Sequence, residues 1–349
     1  MTRCAAWLPT NCDCSNLRSA TEVERTDKVT SMRPVSGVVQ HYPWGDREVI
    51  PRLLGIEPDG EPWAEYWIGT HPRGPATFED GSLLASETGE LTYLLKVLAA
   101  GAPLSLQTHP NRQQAEAGFA SDVFADPHAK PELLCAITPV TALCGIRPVE
   151  PTIRIFERLG LQEYADRVRV HGSGTLVRDL YRGHLDPMRL IAPCESSDLA
   201  EATWINTLQS MYPGDPSVAA ALLLNLVRLH PGEAIRLDAG HLHAYLSGAG
   251  IELMGASDNV VRGGLTTKEV NVDLLLDVLD VSPLDEPVLP AADRHELPGA
   301  GVALVRMYAG ESRTTSIHTV GIGDDGVAFY VPPHTKFTST VSSWIVDGM

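Results

Sequence analysis

The chain has 349 residues, 44% of them hydrophobic and 20% charged, which is enough apolar surface for full-sized cores and too little charge for a disordered polyelectrolyte. Lys and Arg number 27 against 44 Asp and Glu, and the resulting net charge of −17 argues against nucleic acid or an anionic membrane as a partner. The longest apolar runs are too short to span a bilayer, and six cysteines are too few for a disulfide scaffold, so we expect a cytoplasmic protein.

Residues 1–31 differ in character from the rest of the chain. They show no sustained period of 2 or 3.6 residues, and Ser, Thr and Asn are frequent. Their acidic residues argue against a transit peptide, and they contain no apolar core of a secretory signal. We expect a disordered tail or a start codon assigned too early, with Met32 opening the structured sequence.

Short strand-like runs separated by Gly and Pro follow this segment. The run 91–100 is apolar throughout, and its periodicity does not distinguish helix from strand. The predicted strands in this part of the chain cover residues 37–40, 64–69, 104–108, 133–137 and 142–146.

Residues 150–230 have helical spacing instead, with helices predicted at 152–159, 163–168, 199–211 and 217–230. Strands return at 234–238, 243–246 and 250–254, residues 266–279 are again helical, and the segment from 302 to 345 is rich in strands. Strand-rich units around a helical insertion, with 30 Gly and 26 Pro, are typical of jelly-roll barrels. We therefore predict a mainly β fold with an α insertion.

A candidate metal site lies on the predicted strand 104–108 and just beyond it. Residues two apart share a strand face, so Ser105, Gln107 and His109 should point the same way. Glu132 adds a carboxylate, and the segment Gly240-His-Leu-His-Ala-Tyr-Leu246 adds one or two imidazoles. Two His, one Glu and one Gln form a donor set suited to Zn²⁺ and possible for Mn²⁺, Fe²⁺ or Co²⁺.

A second polar segment runs from Glu252 to Lys268 and has Ser257-Asp-Asn259 at its centre. One interpretation is a tight Asx turn between two strands. A functional interpretation adds Arg262 and Lys268 as anion-binding side chains.

Taken together, these segments resemble the type I mannose-6-phosphate isomerases (phosphomannose isomerases), zinc enzymes of the cupin superfamily. The similar segments occur in order over about 240 residues. They are Tyr42-Pro-Trp-Gly45, Ala64-Glu-Tyr-Trp-Ile-Gly-Thr-His-Pro72, Leu94-Leu-Lys-Val-Leu98, Leu104-Ser-Leu-Gln-Thr-His-Pro110, Lys130-Pro-Glu132, Ala142-Leu-Cys-Gly145, His243-Ala-Tyr-Leu246 and Ser257-Asp-Asn-Val-Val-Arg262.

The resemblance implies one Zn²⁺ per chain, with Gln107, His109, Glu132 and His243 as its ligands. His241 competes for the last place, because a strand would present both histidines on one face. The resemblance also implies two cupin-type jelly-roll barrels and an inserted helical domain. The expected division is a catalytic domain of residues 32–149 completed by 231–265, a helical insertion at 150–230, and a C-terminal domain of residues 266–349 that looks short for a full barrel.

The implied activity is the interconversion of mannose 6-phosphate and fructose 6-phosphate through an enediol. Arg262 is the first candidate for stabilising the oxyanion, and Glu252 and Lys130 are candidates for the base, between which the sequence does not choose. Because the chain is so acidic, Lys96, Lys130, Arg262 and Lys268 would have to form a local positive pocket for the phosphate. Ser105 is a further hydrogen-bond donor.

One position departs from the family pattern. Family members usually carry His directly before Lys-Pro-Glu, whereas this chain has Ala129 there and His128 one residue earlier. A ring-opening histidine would have to reach in from that shifted position.

The sequence leaves two other functions open. One is a metal-binding cupin that senses or stores a sugar without turnover, and the other is an iron-dependent cupin dioxygenase, although dioxygenases usually have a His-rich ligand set. We expect a monomer that binds a sugar phosphate.

Overall fold

The larger of two main sheets carries the segments predicted to bind metal. A computed structural model describes residues 32–349 of the chain, and the predictions for residues 1–31 lie outside this range. Within the described range this sheet has eleven strands with antiparallel pairing. They are β2 (Val38–Gln40), β3 (Glu65–Ile68), β5 (Tyr93–Ala100), β6 (Leu106–Thr108), β7 (Glu132–Ala136), β8 (Val140–Ile146), β9 (Leu224–Leu229), β10 (Ala234–Leu237), β11 (His243–Gly255), β12 (Val261–Gly264) and β13 (Val288–Leu289).

The second main sheet combines strands from both ends of the described chain. Its order is β14-β15-β20-β17-β18-β1-β4, and β1 places Arg33 opposite Tyr330 of β18. Two N-terminal strands therefore extend the C-terminal sheet that looked short in the sequence. These strands, with the separate pair β16 and β19, are β1 (Arg33–Ser36), β4 (Thr77–Phe78), β14 (Arg294–Leu297), β15 (Val302–Met307), β16 (Ser312–Thr314), β17 (Thr319–Gly323), β18 (Ala328–Val331), β19 (Lys336–Thr338) and β20 (Ser343–Gly348).

Helices are concentrated between β8 and β9, where the sequence predicted them. The largest apolar core joins this helical block to the large sheet, for example through Phe156, Leu208 and Leu246. The helices are α1 (Val49–Leu53), α2 (Ala85–Thr88), α3 (Arg112–Ala120), α4 (Val149–Arg158), α5 (Gln162–His171), α6 (Ser173–Tyr181), α7 (Met188–Ile191), α8 (Ala200–Met211), α9 (Pro216–Ala221) and α10 (Val272–Val278), with 3₁₀ turns at Ala192–Ser196 and Pro298–Ala300. In the described range no helix is both long and apolar enough to cross a membrane.

Two predicted elements differ from the structure. The helix expected over 217–230 ends at Ala221, and β9 follows because residues 224–229 pair with β8. Tertiary pairing overrides helical spacing in this segment. The helix expected over 266–279 covers only Val272–Val278, because a turn precedes it and Asn271 accepts the Leu274 N–H as the N-cap.

Strand β11 organises the site. The two short strands predicted at 243–246 and 250–254 form one strand, His243–Gly255, which pairs with β5 and β7 on its two sides. The ambiguous apolar run 91–100 is β5, buried along its whole length. One continuous strand thus carries both His243 and Glu252.

Candidate metal and substrate site

The side chains of the four ligands predicted from the sequence lie close together, although their strands place Gln107 opposite His243 and Glu132 opposite Met254 at the other end of β11. Gln107 on β6 lies opposite His243 at the start of β11, and Glu132 begins β7. The ligand atoms of His109, Glu132 and His243 all lie within 4.8 Å of one another, and each of these side chains is at most 2% exposed. The side chain of Gln107 joins them, since its Nε2 lies 3.4 Å from His243 Nε2.

Backbone carbonyls fix the orientation of both imidazoles. His109 Nδ1 lies 2.7 Å from the Asn259 carbonyl oxygen, and His243 Nδ1 lies 2.9 Å from that of His241. Because a carbonyl only accepts, each Nδ1 carries a proton, and in the neutral form of the imidazole each Nε2 has a free lone pair. These Nε2 atoms lie 3.3 and 3.2 Å from the two oxygens of Glu132. Lone pairs that face a carboxylate at this distance fit a bound cation.

The protonation states at this point also suit a metal. Burial lowers the pKa of His109 to about 4, so its imidazole is neutral near pH 7. Burial acts to raise the pKa of Glu132, but the neighbouring Lys130 ammonium opposes it and holds that pKa well below its usual range. Among the described residues, His109 Nε2 and Glu132 Oε2 are buried without a hydrogen-bond partner. Two imidazoles, a carboxylate and an amide oxygen are a donor set that fits Zn²⁺.

His241, the alternative to His243, lies outside this group. Strand β11 begins at His243, so His241 precedes it in a turn and the two histidines do not share a strand face. The His241 Nδ1 accepts the backbone N–H of Asp238 at 3.3 Å. Its carbonyl, rather than its imidazole, contributes to the site.

A cavity of about 870 Å³ opens beside the ligand group. Gln107 and Glu132 reach it from the metal end, and it also contains all six side chains predicted to bind or transform the substrate. These are Lys96, Ser105, Lys130, Glu252, Arg262 and Lys268.

Two of the cations in this cavity are already paired with carboxylates. Lys130 Nζ lies 2.8 Å from Glu132 Oε1. Lys96 Nζ lies 3.3 Å from Glu65 Oε1 and 3.2 Å from Glu252 Oε2, and all three of these side chains are less than 10% exposed. The strand register explains the second group, because β5 places Lys96 opposite Glu252 of β11.

Hydrogen bonds complete the group around Lys96. Tyr245 OH donates to Glu252 Oε1 at 3.1 Å, and Trp67 Nε1 donates to Glu65 Oε2 at 2.8 Å. Burial raises the pKa of Glu252, and Lys96 only partly opposes this. Burial disfavours the charge of Lys96, but Glu65 and Glu252 outweigh it and raise its pKa. The result is a buried cation held between two carboxylates.

The other two cations that the sequence predicted for the site, Arg262 and Lys268, have no such partner among the described residues. Within residues 32–349 no carboxylate oxygen lies within 4.0 Å of a side-chain nitrogen of Arg262 or Lys268, although both residues line the cavity. Arg262 lies on β12 directly opposite Gln107, and Lys268 lies in the turn between β12 and α10. Their positive charge is therefore available to an anion in the cavity.

Sequence reasoning missed a polar group at another part of the cavity wall. His71 Nε2 lies 3.3 Å from Asp258 Oδ1, and Arg73 also pairs with Asp258. The ring of His71 meets that of Trp67 edge to face, 4.9 Å between centroids, and burial lowers the pKa of His71. The segment 64–72 was visible in the sequence, but only as part of the family resemblance.

The Ser257-Asp-Asn259 segment is a structural anchor. Ser257 Oγ and the Asp258 N–H both donate to Asp126 Oδ2, at 3.1 and 2.8 Å. Asn259 Nδ2 donates to the Asp126 and His128 carbonyls, while the Asn259 carbonyl holds His109. The side chain of His128 is exposed and does not line the cavity. It does not take the place of the histidine that the family carries at Ala129.

Comparison with known proteins agrees with this geometry. The family described as phosphomannose isomerase type I, catalytic domain, matches residues 32–149. The mannose-6-phosphate isomerase of Escherichia coli K12 is 32% identical over 288 residues, covering 70% of this chain and 74% of that protein. The human mannose-6-phosphate isomerase is 32% identical over 309 residues, covering 72% of this chain and 73% of that protein. The chain belongs to the type I phosphomannose isomerase family. The family resemblance and the enzyme class predicted from the sequence are therefore confirmed.

Solved structures of this family share the fold. The Salmonella typhimurium mannose 6-phosphate isomerase bound to fructose 6-phosphate and zinc aligns with a TM-score of 0.80 at 25% identity, covering 91% of this chain and 99% of that chain. The apo form of that enzyme also aligns with a TM-score of 0.80, at 24% identity and the same coverage. The predicted fold class, mainly β with helices and of the cupin type, is confirmed.

Proposed function

We propose that this enzyme interconverts D-mannose 6-phosphate and D-fructose 6-phosphate with one Zn²⁺ per chain. The observation that carries the proposal is a cavity beside the buried His-Glu-His group, with two cations on its wall that have no carboxylate partner among residues 32–349. The Salmonella relative that binds fructose 6-phosphate and zinc supports both the substrate and the cofactor. This reading is favoured over a sensor or a dioxygenase.

The metal would be held by Gln107, His109, Glu132 and His243. When bound, Zn²⁺ would supply a Lewis acid that orients or polarises substrate oxygens. Lys130, 2.8 Å from Glu132, would balance the ligand carboxylate and present its remaining N–H bonds to the substrate.

The phosphate would be bound by Lys268 with Ser105 as a hydroxyl donor, and Arg262 would lie between it and the metal group. Arg262 is opposite the ligand Gln107 in the strand register, so its guanidinium can reach the oxygens on which negative charge develops. Lys96 is a weaker phosphate candidate than the sequence indicated, because both neighbouring carboxylates already neutralise it. We assign it to holding Glu252 in place.

Proton transfer between C1 and C2 needs a base that is ionised at working pH yet basic enough to abstract the proton. We assign this role to Glu252, because burial raises its pKa and so its basicity, and because Tyr245 OH and Lys96 fix its two oxygens. Lys130 would act as an electrostatic partner, since its Nζ already lies 2.8 Å from the carboxylate of Glu132.

The direct test is turnover of mannose 6-phosphate by the purified protein, with metal analysis before and after chelation. We expect about one zinc per chain, loss of activity when the metal is removed, and recovery when zinc is returned. Full activity of metal-free protein would contradict the zinc role, and stoichiometric zinc without turnover would favour the sugar-binding alternative.

We infer further that the enzyme works as a cytoplasmic monomer without nucleic acid or membrane partners. We also infer that it consists of a catalytic domain, a helical insertion and a C-terminal domain, with β1 and β4 joining the C-terminal sheet and β9 and β13 the large sheet. The charge of −17 supports the absence of polyanionic partners. The cluster of helices at 149–221 supports a separate helical insertion. Light scattering of the purified protein tests the monomer.

A further inference from the structure

The helical block lines the cavity through Met211 and Tyr212, and it also contacts a sharp turn of the cavity wall that follows β12. Gly264 and Leu265 both have positive φ, +131° and +50°. Leu265 is a branched residue that rarely adopts this conformation, and it is 1% exposed. Something must therefore hold the backbone in this unfavourable conformation.

The holding contacts come from the start of α9. The Leu265 N–H is shared between Asp215 Oδ2 and Ser217 Oγ, each at 2.9 Å. The other oxygen of Asp215 accepts the Ser217 N–H at 2.9 Å as the N-cap of α9. One carboxylate thus caps a helix and fixes a turn 50 residues away in the chain.

The fit at this contact is close. A Cβ added at Gly264 would lie 2.1 Å from Ser217 Oγ, so only glycine allows the approach. One residue earlier, the hydroxyl of Tyr181 on α6 donates to the Gly263 carbonyl at 2.6 Å. Two helices of the block therefore hold three consecutive backbone positions.

The held turn determines where the cavity cations lie. Arg262 precedes it by two residues and Lys268 follows it by three, and both line the cavity together with Leu265, Thr266 and Thr267. After the turn, the backbone of Lys268 is held less firmly. Its N–H donates to Thr266 Oγ1 at 3.2 Å, and this contact is itself local to the segment. A change in the direction of the turn would move Lys268 more than Arg262.

We propose that Asp215 and Ser217 are positioning residues that hold the turn at Gly264–Leu265 and thereby place Lys268 at the phosphate end of the cavity. This inference rests on the proposed function for the identity of the ligand, a sugar phosphate. In this proposal the helical block influences substrate affinity through the turn, since Asp215 and Ser217 themselves do not line the cavity.

Two substitutions test the contact. Asp215→Asn is isosteric but replaces one accepting oxygen by an amide that donates, so either Ser217 or Leu265 loses its acceptor. Ser217→Ala removes the second acceptor of the Leu265 N–H and leaves the cap of α9 intact. The matched control is Ser173→Ala, which removes a buried hydroxyl of the same block that donates to Thr152 Oγ1 at 3.1 Å and has no bond to the turn.

We expect both test variants to raise the KM for mannose 6-phosphate by about tenfold with kcat within about twofold, since affinity rather than the chemical step is affected. The dissociation constant of inorganic phosphate, measured by calorimetry without turnover, should rise by a similar factor. The Leu265 amide should exchange faster with deuterium in both variants. Ser173→Ala should lower the melting temperature and leave all three readouts unchanged.

Equal losses of melting temperature without a change in KM or phosphate affinity would show that the contact only stabilises the fold, and would overturn the proposal. A fall in kcat at constant KM would overturn it as well. If the wild type binds phosphate but does not turn over mannose 6-phosphate, the proposed function fails. The ratio of phosphate affinities between variant and wild type still decides the positioning role.

Discussion

Replacing Lys96 by Met separates two possible roles of this buried lysine. As a phosphate ligand, Lys96 should contribute to substrate affinity. As the cation between Glu65 and Glu252, it should contribute to stability and to the position of the base. The distances of 3.3 and 3.2 Å and side-chain exposures below 10% favour the second role.

The stability cost follows from leaving two buried carboxylates without their cation. Removing one partner of a buried ion pair costs about 3–5 kcal/mol. Unfolding entropy of about 2.1 cal/mol/K per residue gives about 0.6 kcal/mol/K for a chain of about 300 residues, so the melting temperature should fall by about 5–8 °C. Part of this loss is recovered if one carboxylate takes up a proton, so the fall should be smaller at lower pH.

A double-mutant cycle and a surface control make the experiment specific. Lys96→Met with Glu65→Gln should be less destabilised than the sum of the two single variants, by about 1–3 kcal/mol, because the second change removes an unpaired charge. Lys336→Met on the exposed strand β19 makes the same chemical change away from the cavity and should have little effect. Thermal denaturation measures these differences, and steady-state kinetics gives kcat and KM for each variant.

The kinetic result decides between the roles. We expect Lys96→Met to lower kcat, because Glu252 loses one of its two anchors, while affinity for inorganic phosphate stays near that of the wild type. The reasoning is wrong if Lys96→Met weakens phosphate binding as much as Lys268→Ala does and leaves kcat intact. It is also wrong if the melting temperature does not change.

Three further changes test the remaining parts of the site. His109→Ala should abolish both zinc retention and turnover, because it removes a buried ligand. Metal analysis that finds one zinc per chain in this variant would contradict the assignment. Arg262→Ala should lower kcat by roughly 10²–10³, which is the scale for losing one oxyanion donor, and the zinc content should not change. A rise in KM without a change in kcat would instead make Arg262 a phosphate ligand. The pH profile of kcat should fall on the acid side as Glu252 takes up a proton. Since burial raises the pKa of Glu252, this fall in kcat should begin at a higher pH than for an ordinary carboxylate. If the residual activity of Glu252→Gln still falls at the same acidic pH, the titrating group is another residue.

The metal group was accessible from the sequence because its residues follow local rules. Gln107 and His109 are two residues apart at the end of a strand, and this period alone places both side chains on one face. The position of His243 needed the family resemblance, because periodicity allowed His241 equally. Only the start of β11 at His243 separates the two histidines in the structure.

Features that depend on distant pairing were not accessible in the same way. Residues 224–229 have helical spacing but form a strand because β8 offers a free edge. Likewise, the C-terminal sheet looked short because two of its strands, β1 and β4, come from the N-terminal part of the chain. Local patterns carry no information on which segment will supply a partner, so these errors arise where tertiary pairing decides the structure.

The distribution of charge explains how so acidic a chain can bind a phosphate. Lys96 and Lys130 look equivalent to Arg262 and Lys268 in the sequence, but the first two are buried against glutamates and have little net field left in the cavity. The other two keep their charge because β12 and the turn after it have no acidic partner among residues 32–349. Asp215 is close in space to this turn, yet its two oxygens are used by backbone N–H groups, and that contact fixes the backbone that carries Lys268. On the proposed function, an anion would thus be attracted by Arg262 and Lys268, while Glu252, the carboxylate that we propose accepts the proton, is held by Lys96, a lysine that the anion does not need.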